Sequence, residues 1–293
     1  MPRLDRAAWV ASGERVGLAL PSAPFERFEI FARVAGQGPW CTLVHGYPTS
    51  SWDWAHIAPA LETQHRTLAL DLLGFGASAK PHGHRYSIHE QADIVEAAWR
   101  WAGVETTALV THDYGDSVGQ ELVARALDGA LRVELTSWQL LNGGVYPELH
   151  RATVGQQLLA VPEHGQAVAD TVTPELFAAG LLGVLGPRGA PADELAQHWA
   201  ALVDGGGRDL LAELIQYIGD RRQHAERWIR ALESSPCPQR FVWGPEDPVS
   251  GAHVIERLRE RFGAEAIVEL PGVGHYPQWE APTETAAALL LPL

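Results

Sequence analysis

Short apolar runs alternate with longer amphipathic stretches along this chain. The runs at 28–36 (FEIFARVAG), 40–46 (WCTLVHG), 66–74 (RTLALDLLG), 107–112 (TALVTH), 134–142 (ELTSWQLLN), 240–244 (RFVWG) and 266–272 (AIVELPG) read as strands. From 40 onward they are too continuously apolar to be half-exposed, as buried parallel strands should be. The clearest helix spans 88–102. Ser87-Ile88-His89-Glu90 forms a capping box at its start, and Gly103 ends it. A second helix is expected after Gly115, with Val118, Leu122 and Val123 on one face. Between 142 and 240 the strand–helix rhythm stops. Residues 146–235 read as helical, best at 173–185, 193–203 and 208–218, punctuated by Pro187, Pro191 and Gly205-Gly206-Gly207. The pattern predicts an α/β fold with a mostly parallel central sheet flanked by helices. Residues 1–145 and 236–293 would form its core domain. Residues 146–235 would form a helical cap, or lid, over the strand ends, where open α/β sheets place their ligands.

Composition narrows the partners. The 293 residues suffice for one large core with an insertion, and 46% hydrophobic against 20% charged is ordinary for a globular protein. With 22 basic against 36 acidic residues the net charge is −14, which argues against a nucleic-acid partner, whose binding rests on Lys and Arg. A small neutral or apolar substrate suits this chain better, and eleven tryptophans fit an aromatic-lined pocket or simple packing. Cys41 and Cys237 lie beside separate apolar runs and read as buried thiols; no metal-ligand spacing and no cofactor motif is present. The N-terminus lacks the apolar core of a secretory signal, and AAALLLPL at 286–293 is too short to span a bilayer. The expectation is a cytoplasmic protein without membrane attachment, with nothing against a homo-oligomer.

The chemistry centres on LVTHDYGDSVGQEL, residues 109–122, which offers two nucleophiles four residues apart. Ser117 lies in Gly115-Asp116-Ser117-Val118-Gly119, a literal match to the G-x-S-x-G pattern of serine hydrolases. A nucleophile on a strand–turn–helix elbow must sit in the turn directly after the strand, with small neighbours two residues away on each side. Asp113 meets both conditions, with Thr111 and Gly115 flanking it. Ser117 lies a helical turn further on, so its match is in the wrong register. An Asp after a strand is often only a helix cap. The order of the remaining parts argues for more.

His275, in PGVGHYPQWE, follows the last predicted strand and suits a general base. Asp247, in VWGPEDPVS, follows the penultimate strand, where a carboxylate can orient the imidazole; Glu246 is the alternative acid. The order Asp113, Asp247, His275 is the nucleophile–acid–base order of α/β-hydrolases. Gly46 in His45-Gly46-Tyr47-Pro48 permits a tight turn that can aim the Tyr47 amide into the site, and with the Tyr114 amide this makes two donors for an oxyanion. His45 and His112 read as packing or hydrogen-bonding histidines.

HGYP (45–48), LDLLGFGASAKP (70–81), THDYG (111–115), GPEDP (244–248) and GHYPQWE (274–280) together resemble the epoxide hydrolase and haloalkane dehalogenase branch of the α/β-hydrolase superfamily. The resemblance covers 28–293. Within that branch HGYPTSSWDW, YSIHEQADIVEA, LLNGGVYPELHR and QYIGDRRQHAERWIRAL are similar to the mesoderm-specific transcript proteins. The resemblance implies an α/β-hydrolase fold and a two-step reaction needing no cofactor or metal. Asp113 attacks a saturated carbon to give an alkyl-enzyme ester. Water, the co-substrate, is then activated by His275 and cleaves the ester. Tyr217 matches the position of a lid tyrosine that binds an epoxide oxygen, and Tyr146 is a second candidate. Haloalkane dehalogenases typically carry Asn where Tyr47 stands and Trp where Tyr114 stands. Arginines that bind a substrate carboxylate in fluoroacetate dehalogenases are here Tyr114 and Ser117. Epoxide hydrolysis to a vicinal diol is therefore the leading expectation. Dehalogenation of haloalkanes, a serine-type esterase and a non-catalytic binding protein are the alternatives.

Overall fold

The central strands carry the site, and the sequence around them explains why. In the computed structural model, which describes residues 3–21 and 23–293, the chain opens with α1 (Arg6–Ala11), β1 (Glu14–Leu20), β2 (Ala23–Gly36), β3 (Trp40–Val44), α2 (Ala58–Leu61) and β4 (Arg66–Leu70). It continues through α3 (Ile88–Ala102), β5 (Thr106–His112), α4 (Tyr114–Leu127) and β6 (Glu134–Leu141). The strands form one sheet in the order β1-β2-β4-β3-β5-β6, extended by β7 (Gln239–Trp243) and β8 (Ile267–Glu269). β1 and β2 pair antiparallel, β2 meets β4 antiparallel, and every later pairing is parallel. This is the α/β-hydrolase fold.

β5 lies between β3 and β6, and Leu109 and Val110, on opposite faces, are both fully buried. That two-sided burial is why its sequence shows no polar alternation. α3 begins on Ser87, whose side chain accepts from the Glu90 amide, and ends on Gly103 in the left-handed region at φ 70°.

Between β6 and β7 the chain runs through α5 (Val154–Leu159), α6 (Gly165–Asp170), α7 (Pro174–Leu182), α8 (Glu194–Val203), α9 (Leu211–Leu214), α10 (Tyr217–Gln223) and α11 (Ala225–Glu233). The single helix expected over 208–218 is in fact the end of a 3-10 segment over 204–210, which Gly205 and Gly206 kink with φ of 64° and 82°, followed by α9 and the start of α10. α11 lies on α4 of the core. Trp228, 1% exposed, donates its indole N–H to Glu121 Oε2 at 2.9 Å, and burying a side chain of that size contributes roughly 3 kcal/mol. α10, which precedes α11, meets the end of β5 through Arg221, whose Nη2 donates to the Asp113 carbonyl at 2.9 Å. The C-terminal part comprises α12 (Ala252–Phe262), α13 (Pro277–Glu280) and α14 (Pro282–Leu290). Among the described residues no helix is long and apolar enough to cross a membrane.

Candidate active site

Asp113 occupies the turn between β5 and α4 with φ 48° and ψ −104°, a conformation that a non-glycine residue rarely adopts. Such a turn needs close backbone approach on both sides. A Cβ at Gly115 would stand 2.3 Å from the Val44 carbonyl, and one at Gly46 would stand 2.8 Å from His112 Nδ1 and 3.0 Å from Asp113 Cβ. These two glycines let the loop after β3 and the start of α4 close around the carboxylate. The Tyr47 amide consequently donates to Asp113 Oδ2 at 3.0 Å. Tyr114 is the first residue of α4, so its amide serves no carbonyl within the helix.

His275 faces this carboxylate from the loop after β8. Its Nε2 is 3.9 Å from Asp113 Oδ1, beyond hydrogen-bond reach, and its Nδ1 is 2.7 Å from Asp247 Oδ2. Asp247 is held in turn by the Val249 amide at 2.8 Å, the Ser250 hydroxyl at 2.7 Å and Asn142 Nδ2 at 3.1 Å. Asp247 is buried and Glu246 exposed, which decides which acid meets the histidine. Asn142, at the end of β6 with φ 27°, also bonds the Gly244 backbone in both directions. Its contribution went unread because a lone Asn after a strand looks like an ordinary turn residue.

The electrostatics follow from burial and pairing. Burial alone would push His275 down, but the Asp247 carboxylate and then Asp113 outweigh it and raise it to about 9. Burial would raise Asp247 as well; His275, Ser250 and the Val249 amide bring it down to about 2. Asp113 likewise ends below the usual carboxylate range, because His275 and Arg221 overcome its desolvation. The sign for stability is fixed by these directions. His275 titrates near 9 folded against 6.5 unfolded, so its contribution is complete below pH 6.5 and is lost as pH rises through 9. That interval corresponds to on the order of 3 kcal/mol. Urea unfolding followed from pH 6 to 10 should show this loss, and His275→Gln should flatten it; a flat wild-type curve would contradict the pairing.

His112 and His45 serve the scaffold. His112 Nε2 donates to the His275 carbonyl at 2.8 Å, and its Nδ1 lies 3.3 Å from Gln278 Nε2. Burial drives it down to about 3, so it stays neutral. His45 donates from Nδ1 to the Gly46 carbonyl and accepts from the Leu72 amide.

Ser117 is fully buried within the first turn of α4, and its hydroxyl accepts from Arg221 Nε at 2.6 Å. Tyr217 is brought to the site. Its ring lies 4.8 Å from that of Tyr114 and 5.9 Å from that of Tyr47, and its buried hydroxyl donates to no acceptor among the described residues. Tyr146 is not brought there. Its hydroxyl donates to Glu233 Oε1 at 3.1 Å, and the Arg257 guanidinium stands 5.4 Å over its ring, so it is tied to the helices beside the site. Arg221 escaped the sequence reading although it stands four residues after Tyr217, on the same helical face.

A cavity of about 540 Å³ opens beside His275, Tyr47 and Tyr276, with Leu159, Phe177, Leu181 and Val184 from the helical stretch closing its far side. A body about the size of a small organic molecule fits it. The arrangement sets a carboxylate beside a histidine–carboxylate pair, with the Tyr47 amide donating to that carboxylate.

Residues 43–288 match the Alpha/beta hydrolase family. The chain is 39% identical to the protein LipZ of Mycobacterium tuberculosis over 264 residues, 89% of this chain and 91% of that one. It is also 39% identical over 260 residues to the Homo sapiens mesoderm-specific transcript homolog protein, covering 85% of this chain and 77% of the other. Among solved structures, the haloalkane dehalogenase DbeA from Bradyrhizobium elkanii superposes with a TM-score of 0.76 at 22% identity, over 94% of this chain and 96% of that one, a likeness of fold.

Proposed function

This chain belongs to the α/β-hydrolase family and is a hydrolase, and on that premise we propose that it works through Asp113 and a covalent alkyl-enzyme ester, opening epoxides to vicinal diols. One observation carries the choice of nucleophile. Asp113 holds the strained turn directly after β5 and faces the His275–Asp247 pair, whereas the Ser117 hydroxyl lies within the helix and is bonded to Arg221. The helices of 146–235 act as a cap that supplies the apolar wall and Tyr217.

In the first step an Asp113 oxygen attacks an epoxide carbon, the carbon–oxygen bond breaks, and the alkoxide takes a proton from the Tyr217 hydroxyl. A carboxylate suits this step because the reaction is at saturated carbon. The ester no longer carries the Asp113 charge that helps raise His275, so the imidazole gives up its proton more readily, and that proton restores the Tyr217 hydroxyl. Neutral His275 then takes a proton from water, which attacks the Asp113 carboxyl carbon. The Tyr47 and Tyr114 amides hold the oxyanion, and the diol departs. The buried Tyr217 hydroxyl, a donor with no acceptor among the described residues, supports an oxygen leaving group over a halide.

Styrene oxide is a suitable probe. Diol formation by Ser117→Ala should stay within about tenfold of the parent, because that side chain touches no reacting atom. A loss of about 10³-fold or more would return the chemistry to a serine mechanism. Bromide release from bromoalkanes without diol formation from epoxides would instead indicate a dehalogenase.

A further inference from the structure

Arg221 is a fully encased cation that the reaction just described does not use. It is 1% exposed, and each part of its guanidinium has a distinct neighbour. Nε donates to Ser117 Oγ at 2.6 Å, Nη2 donates to the Asp113 main-chain carbonyl at 2.9 Å, and Nη2 also stands 3.6 Å from Asp113 Oδ1. Its flat face lies 4.5 Å over the Tyr217 ring, a cation–π contact in a dry setting. Nη1 has no hydrogen-bond acceptor among the described residues and presses on the glycine turn after β6, where a Cβ at Gly144 would come within 2.4 Å of it and within 3.1 Å of His150 Nδ1. A buried guanidinium is costly unless it is paired. Here it is paired with the elbow and its nucleophile, from a helix outside the sheet.

We propose that Arg221 is the positioning residue of the nucleophile: it clamps the elbow through the Asp113 carbonyl, sets a fixed cation 3.6 Å from the Asp113 carboxylate, and takes the Ser117 hydroxyl out of the chemistry. The proposal rests on Asp113 being the nucleophile. The lone match to a serine-hydrolase motif then has a structural meaning, since that serine is the seat of the arginine. Besides Arg221, the titratable groups facing Asp113 are His275 and Tyr276 from the loop after β8, with Asp247 behind His275, His45 after β3, His112 and Asp116 beside it in the chain, His150 after β6, and Tyr47 and Tyr217 across the site. Among them Arg221 is a permanent cation. Its removal therefore weakens the ionised state of Asp113 at every pH.

The test uses His275→Gln as parent, so that any ester on Asp113 persists, and follows adduct formation with styrene oxide and with 1-bromobutane against pH. Arg221→Met in that parent should slow adduct formation at pH 7 at least tenfold with both probes and move the acid limb of the rate profile to higher pH. Arg221→Lys should restore the acid limb while recovering only part of the rate, because an ammonium keeps the charge but loses the fork. An acid limb that stays in place in Arg221→Met would overturn the proposal, whatever the rate, because it would reduce Arg221 to packing. Adducts in the parent with undiminished rates in both variants would overturn it too, leaving the nucleophile assignment intact. No Asp113 adduct in the parent would remove that assignment, and the clamp with it.

Discussion

Asp113→Asn is expected to reduce styrene oxide turnover by about 10⁴-fold or more, the loss typical when a covalent nucleophile is removed. The amide is nearly isosteric, and Asn tolerates positive φ better than most residues, so the turn at φ 48° should survive. What disappears is the charged oxygen that attacks carbon. The change also has an electrostatic signature. His275 is raised by Asp247 and by Asp113, so removing one carboxylate should lower it from about 9 while the Asp247 contact remains. Imidazole NMR titration of the two proteins would show this displacement. Turnover within tenfold of the parent, or a His275 titration that stays put, would sink the assignment of Asp113.

His275→Gln should abolish steady-state turnover to a similar degree, by about 10³- to 10⁴-fold, through a different step. Asp113 keeps its charge and the Tyr47 amide contact at 3.0 Å, so the first step can proceed. Water then meets an ester with no base beside it. Rapid quenching should show consumption of about one equivalent of styrene oxide per site, followed by arrest. The wild-type enzyme should instead cycle. A variant that loses the first equivalent as well would make His275 a requirement of substrate attack and contradict the two-step scheme.

The legible parts of the molecule were those encoded locally. The buried strands from β3 to β7 announce themselves as continuous apolar runs, and Ser87, Gly103 and Gly115 mark helix ends within a few residues of where they act. β1 carries a weaker signal although Val16, Leu18 and Leu20 alternate inward along it, because Gly17 interrupts the run and it is covered on only one face. The same division holds at the site. Asp113 is located by its own neighbours, and the register argument against Ser117 needs only the strand end. Tyr146 and Tyr217 read alike as aromatics of the helical stretch. What separates them is Glu233, 87 residues away from Tyr146, and the rings of Tyr47 and Tyr114 against Tyr217. Such long-range partners leave no periodic trace in the chain. Arg221 was hidden for the converse reason: it sits in a run of charged residues, DRRQH, that reads as a solvated face until packing buries one member.

The central claim is that carbon becomes bonded to Asp113. The most direct measurement is the intact mass of His275→Gln after exposure to styrene oxide, followed by peptide mapping. The account predicts a stable gain equal to the whole epoxide, confined to the peptide that contains Asp113 and absent in the Asp113→Asn, His275→Gln double variant. The same gain on Ser117, or persisting in the double variant, would contradict it.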